Sequence, residues 1–220
     1  MRLLQHKTEA YWFYTVLSLI YDRWVNPLFW TPAMRSRALA AAALDDRSLP
    51  TLDAGAGTGF TTEGIVERVD ADRVTMLDQS PHQLARARAK PALERCAKLL
   101  GDAEDLPFAD DEFDRYVSAG SIEYWPDPQR AVAEAYRVLD TGGVAVVIGP
   151  VRPANALLRR IADTWMLFPT EREYRELFER AGFTDVELVP LAPAWHRSTR
   201  NASAIPRCGS GQYSMLPADT

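Results

Sequence analysis

The chain has 220 residues, 47% of them hydrophobic and 25% charged, with a formal charge of −5. Only 12 Gly, 15 Pro and 2 Cys exclude collagen-like, low-complexity and disulfide-scaffold architectures and leave one α/β-sized domain with a sizeable core. The acidic balance excludes nucleic acid as a partner, which needs a basic footprint, and the distant Cys96 and Cys208 predict free thiols and no structural zinc.

In chain order, Met1–Lys7 has no apolar core or cleavage site behind it, so no signal or transit peptide is expected and the chain reads as cytoplasmic. Ala10–Tyr21 is uncharged for twelve residues, short of the roughly 18–20 that a bilayer span needs. Eight of the 22 aromatic residues crowd between Tyr11 and Trp30. Leu49–Ala54 then reads as a strand ending in the cluster Gly55-Ala56-Gly57-Thr58-Gly59, with helix-compatible sequence over Phe60–Val69. Arg73–Asp78 is a second strand, and Ser80-Pro81 opens a helix with an N-cap serine and proline at the first helical position. Ala97–Leu100, Phe113–Ser118 and Gly143–Gly149 are further strands, with a helix over Pro128–Leu139. This alternation predicts a doubly wound, mostly parallel, seven-stranded Rossmann-like α/β sheet with helices on both faces.

After Pro150, helices are expected over Ala154–Phe168 and Thr170–Ala181, the second ended by Gly182. Phe183–Val189 reads as a strand, with Trp195 on its antiparallel partner. The expected organisation is an N-terminal helical lid and substrate-binding extension over 1–48, a cofactor-binding domain over 49–197 and a poorly ordered tail over 198–220.

The strongest local signal is Asp53 to Gly59 between a strand and a helix. Gly55, Gly57 and Gly59 let a ligand approach the backbone, and the following helix offers unpaired N–H groups. Asp78 ends the next strand roughly 20 residues further on, where a carboxylate accepts from ribose hydroxyls. The spacing Gly-x-Gly-x-Gly, with Asp53 so close, disfavours a pyrophosphate and suits a cationic ligand, which points to S-adenosylmethionine rather than a nicotinamide nucleotide. Asp102 is placed to accept from an adenine amino group, with Ala103 and Leu106 as apolar wall. Gln79 and Ser118 complete the expected cofactor set, while Glu104 and Asp110–Asp114 read as a solvated acidic loop.

The blocks Gly57–Thr62, Leu77–Leu84, Gly101–Phe108 and Asp114–Arg130, with Glu134–Leu139, Trp165–Pro169 and Ala181–Phe183, resemble a class I S-adenosylmethionine-dependent methyltransferase. More narrowly, the chain is similar to the 2-methyl-6-phytyl-1,4-benzoquinol / 2-methyl-6-solanesyl-1,4-benzoquinol methyltransferases of tocopherol and plastoquinone synthesis, over roughly Lys7–Arg200. The plant members carry a plastid transit peptide and a C-terminal hydrophobic anchor, neither of which is expected here, and Ala56 stands where they often have glycine.

The resemblance implies methylation of a prenylated quinol at a ring carbon, with S-adenosyl-L-homocysteine as product and no metal. The ring hydroxyl, with a pKa near ~10, must give up its proton. The expected base is Glu123 with Tyr124 as its orienter, after the fourth strand. His82 at a helix start, which otherwise caps that helix, and His196 beside Trp195 are the other candidates. The aromatic N-terminal segment, with Tyr11, Tyr14 and Tyr21, is expected to form a helical lid that walls a prenyl tail, meets a sulfonium through its rings and touches a bilayer surface. Trp165 supplies the opposite wall. The alternatives are another lipophilic acceptor (a ubiquinone or menaquinone precursor, a sterol or a phenol), an NAD-dependent oxidoreductase, or a non-catalytic cofactor-binding subunit.

Overall fold

The computed structural model describes residues 31–151, 169–191 and 201–207, the last stretch as backbone. Helix α1 (Pro32–Ala40) leads into β1 (Thr51–Ala54), α2 (Phe60–Val66), β2 (Val74–Asp78), α3 (Pro81–Arg88), β3 (Ala97–Leu100) and β4 (Phe113–Ala119). A short 3-10 turn at Ile122–Tyr124 precedes α4 (Pro128–Arg137) and β5 (Leu139–Pro150), followed by α5 (Glu171–Ala181), β6 (Thr184–Pro190) and β7 (Asn201–Arg207). The seven strands lie in the order β3-β2-β1-β4-β5-β7-β6. β1 to β5 pair in parallel, and β7 runs antiparallel to both β5 and β6. The fold class expected from the alternation is the one observed.

Local chemistry sets the helix ends. The Ser80 hydroxyl accepts from Gln83 N with Pro81 at the first helical position, and Thr170 and Glu173 form a capping box at the start of α5. Gly182, at φ +107°, ends that helix in the left-handed conformation. One face of the sheet packs Tyr116, Val147 and Leu52 against Val132 and Ala135 of α4 and Phe178 of α5. The other packs Val117 and Val146 against Leu39 of α1, Ile65 of α2 and Ala87 of α3.

Two expected boundaries shift. Helix α1 was expected within a lid, but Met34, Ala38 and Leu39 are buried in the second core cluster, so this helix covers the sheet. Asn201–Arg207, expected within a poorly ordered tail, is β7, pairing with β5 on one side and β6 on the other. Trp195, expected on an antiparallel partner of β6, lies outside the described residues, and Asn201–Arg207 is such a partner. Two flanking strands satisfy its backbone groups, so its weak local propensity does not decide the outcome.

The chain runs outward from β1 through β2 to β3 and then returns to β4 on the other side of β1. That reversal opens a crevice beyond the carboxyl ends of β1 and β4, where open α/β sheets bind ligands. Gly59 holds this corner: it caps α2 at φ +81°, and a Cβ there would run into Leu93 Cδ1 and lie 3.1 Å from Met76 Cε. Gly59→Ala is expected to lower unfolding stability by about 2–4 kcal/mol in a urea titration, through backbone strain and overpacking together.

Candidate active site

The carboxyl ends of β1, β2 and β3 are stitched together at Asp78. Gly55 N and Ala56 N donate to Leu77 O at 2.8 and 3.0 Å, and Gly101 N donates to Asp78 O at 3.1 Å. Gly57 N donates to Asp78 Oδ2 and Ser80 N to Asp78 Oδ1, both at 2.8 Å. Each carboxylate oxygen therefore keeps lone-pair capacity for an incoming hydroxyl. Burial raises the Asp78 carboxyl above its ordinary range, and the two N–H bonds oppose that rise.

The three glycines do different work. A Cβ on Gly57, at φ +56°, would meet nothing within 4 Å, so this residue fronts the open crevice. A Cβ on Gly55 would lie 2.8 Å from Ser121 Cβ; Gly55, like Gly59, is glycine because protein occupies the space beside it. Asp53 lies behind the loop with no exposed surface. Its Oδ2 accepts from Thr62 Oγ1 at 2.6 Å, and its Oδ1 has no partner among the described residues. Burial pushes this carboxyl up to about 7. Asp53, expected to face a cation, is thus enclosed behind the glycine loop.

At the end of β3, Asp102 Oδ1 accepts from Glu104 N at 3.1 Å, and Ala103 and Leu106 are buried beside it. Glu104, expected on a solvated loop, is 6% exposed, and its Oε1 accepts from Asp127 N at 2.8 Å. A helix start 23 residues away supplies the donor that makes its burial tolerable. Gln79 is exposed beside Asp78, while Ser118 is buried at the end of β4 with its Oγ unpartnered among the described residues.

The second half of the site follows β4. The chain turns at Gly120, φ +65°, into the Ile122–Tyr124 turn, which touches the glycine loop where Ser121 lies against Gly55. Trp125 Nε1 donates to Ser121 Oγ at 3.0 Å and fixes the turn from behind. Glu123 Oε2 is shielded from solvent with no partner among the described residues, and burial pushes this carboxyl up to about 7. Tyr124 is buried next to it. On β5, a Cβ at Gly149 would collide with the Tyr174 hydroxyl and lie 3.6 Å from Glu123 Oε2. Glu123 and Tyr174 therefore share one small space. Sequence reasoning missed Tyr174; its only signal is its place on the first turns of α5. His82 is exposed on the first turn of α3, and with β1 lying between β2 and β4 it is not brought to Glu123. Tyr11, Tyr14, Tyr21, Trp165 and His196 lie outside the described residues.

Asp53 and Glu123 carry the same consequence for stability. Each folded carboxyl sits near 7, against about 4 when unfolded. The folded state binds those protons more tightly, so the stability that these two groups contribute is greatest at low pH, falls as pH rises from about 4 to about 7, and levels off above. Chemical unfolding is expected to show a fall of order 2–6 kcal/mol from these two groups over this range, and Asp53→Asn to remove roughly half of it.

The residues fit a nucleoside ligand with a cationic end: free lone pairs on Asp78, an open face at Gly57, and buried oxygens on Ser118 and Glu123 that have no partner among the described residues. Residues 52–147 match the family model described as methyltransferase domain. The chain is 59% identical over 207 residues to 2-methyl-6-phytyl-1,4-hydroquinone methyltransferase 2, chloroplastic, of Oryza sativa subsp. japonica, covering 94% of this chain and 60% of that protein. The corresponding protein of Arabidopsis thaliana is 56% identical over 207 residues, covering 94% of this chain and 61% of that protein. The chain thus spans about three fifths of the length of these relatives. Among solved structures, the cyclase SpnF superposes with a TM-score of 0.73 at 20% identity, covering 92% of this chain and 97% of that one. That likeness concerns the fold alone.

Proposed function

We propose that this chain, which carries a methyltransferase domain over residues 52–147, uses S-adenosylmethionine to methylate a ring carbon of a prenylated benzoquinol. The observation that carries the reading is the similarity to hydroquinone methyltransferases at 59% identity along 94% of the chain, which includes the Glu123 turn as well as the nucleotide half.

S-adenosylmethionine, when bound, supplies an electrophilic methyl group on a positively charged sulfur. The chain's residues provide the rest. Asp78 holds the ribose hydroxyls, Gly57 lets the ligand lie against bare backbone, and Asp102 with Ala103 and Leu106 receives the adenine. Glu123 accepts the quinol hydroxyl proton, so that negative charge develops at the ortho carbon that attacks. Once that carbon carries the methyl it gives up its own hydrogen as a proton to solvent, and the oxygen takes back the proton held by Glu123, which restores the aromatic quinol. A phenol near ~10 facing a carboxylate near 7 leaves the transfer uphill in isolation and favourable only as the new bond forms, which is general-base catalysis. Holding carbon and methyl at roughly 3–3.5 Å supplies much of the remaining rate. Tyr11, Tyr14, Tyr21, Trp165 and His196 are the proposed wall for the prenyl tail, and contact with a membrane surface gives access to that tail. No described helix is long and apolar enough to cross a membrane.

The test is incubation with methyl-labelled S-adenosylmethionine and 2-methyl-6-phytyl-1,4-hydroquinone. Label is expected in a carbon-bound ring methyl that withstands ether cleavage. Label in a methyl ether, or cofactor binding with no transfer to any quinol, overturns the reading.

A further inference from the structure

The loop from Asp102 to Asp110 is gripped by α4 at both ends. At the start of the helix, Glu104 Oε1 accepts from Asp127 N at 2.8 Å. Two turns on, Glu134 and Arg137 form a single clamp. Arg137 Nε and Nη2 donate to Glu134 Oε1 and Oε2, each at 2.8 Å. Glu134 Oε2 also accepts from Leu106 N at 2.8 Å, and Arg137 Nη2 donates to Leu106 O at 3.0 Å. Both backbone groups of Leu106 are thus held by one ion pair. Arg137 Nη1 continues to Phe108 O and to Asp110 Oδ1, both at 2.8 Å. The pair is largely shielded, at 31% and 19% side-chain exposure for Arg137 and Glu134, and the Arg137 guanidinium holds the Glu134 carboxyl below its ordinary range. The rigid fork is essential: a guanidinium reaches two carbonyls and two carboxylates at fixed angles, and an ammonium does not.

We propose that Glu134 and Arg137 are positioning residues that set cofactor affinity by holding the Ala103–Leu106 wall in its ligand-binding shape before the ligand arrives. The inference rests on the S-adenosylmethionine reading above. The two residues act through the backbone of Leu106, a residue 5% exposed, in the same loop as Ala103, at 8%. A loop ordered in advance removes an ordering cost from the binding step. Because the wall serves the adenine end, donor and product gain equally.

The experiment is calorimetric titration of the full chain with S-adenosylmethionine and S-adenosylhomocysteine, alongside steady-state kinetics. Arg137→Lys is expected to weaken both ligands about tenfold, with kcat at saturating donor within twofold and the quinol KM unchanged. Glu134→Gln keeps an acceptor for Leu106 N but loses the ion pair, and about threefold weakening is expected; it carries the test should Arg137→Lys not fold. Arg130→Ala removes an exposed pair with Asp105 at 3.3 Å and a weaker charge interaction with Glu134, and breaks no hydrogen bond to Leu106, so unchanged affinity is expected. A lower melting temperature with unchanged affinities in both clamp variants makes the pair a plain brace and overturns the proposal, as does a fall in kcat with affinities intact. Failure of the unmodified chain to bind either ligand overturns the cofactor reading itself and this proposal with it. Variants that bind like the unmodified chain overturn this proposal alone.

Discussion

Glu123→Gln is expected to lower kcat by about 10²–10⁴-fold while leaving affinity for S-adenosylhomocysteine within twofold. The glutamine keeps the size and the turn and loses only the ability to take a proton. Glu123 has a buried oxygen without a partner among the described residues and a raised carboxyl, near 7, as a general base working close to neutrality requires. The sign of the pH dependence follows. The base works when ionised, so kcat rises as pH climbs through about 7 and then levels off; a cation bound in the same crevice moves that midpoint down and never up. In Glu123→Gln the acidic limb disappears from what activity remains. The same substitution is expected to stabilise the fold above neutrality by of order 1–3 kcal/mol, because the folded state no longer holds an ionised carboxylate out of water. Lower activity with higher stability at alkaline pH is the joint signature of a base kept at a cost to the fold. A variant with wild-type kcat, or one that loses both activity and stability at pH 8, removes Glu123 as the base.

Asp78→Ala is expected to weaken S-adenosylmethionine and S-adenosylhomocysteine by a common factor of about 10²–10⁴. Two hydrogen bonds from ribose hydroxyls to a charged acceptor, at roughly 1.5–3 kcal/mol each, set that range. The frame suffers too, since Gly57 N and Ser80 N each lose an acceptor at 2.8 Å. Asp78→Asn is little better: its amide nitrogen must face one of those two N–H donors, and a donor against a donor is repulsive. Titration with both ligands separates contact from field. The ribose is common to donor and product, so equal losses mean contact. A loss confined to the cationic donor means that Asp78 acts only by charge, and the ribose assignment falls.

Much of this arrangement was legible in the amino-acid order because the interactions responsible are short. Ser80-Pro81 opens α3 through a hydrogen bond three residues long, and Gly182 closes α5 within one turn. The strand–glycine–helix–acid sequence places Asp78 against Gly57 because two parallel strands joined by one helix admit few other geometries. The core-facing runs of β4 and β5 were likewise plain from their hydrophobicity. The Glu123 turn was found from its position after a strand. Its partner across the gap, Tyr174, was not, since the two lie on separate elements that meet only in the fold.

Other features were settled by partners far along the chain. The order of residues says that 55, 57 and 59 are glycine. Only the packing says that Ser121 and Leu93 fill the space beside two of them while Gly57 faces the crevice. Glu104 reads as one more solvated acid until Asp127 N arrives to satisfy it. Asn201–Arg207 has no strand-like pattern of its own, and becomes β7 because β5 and β6 offer it backbone partners on both sides. Helix ends, strand alternation and the nucleotide motif were thus determined within a few residues, where the chain's own stereochemistry and hydrogen bonding act. Which groups are buried, which are paired and which are left open for a ligand was decided only when distant segments came to share one volume from which water is excluded.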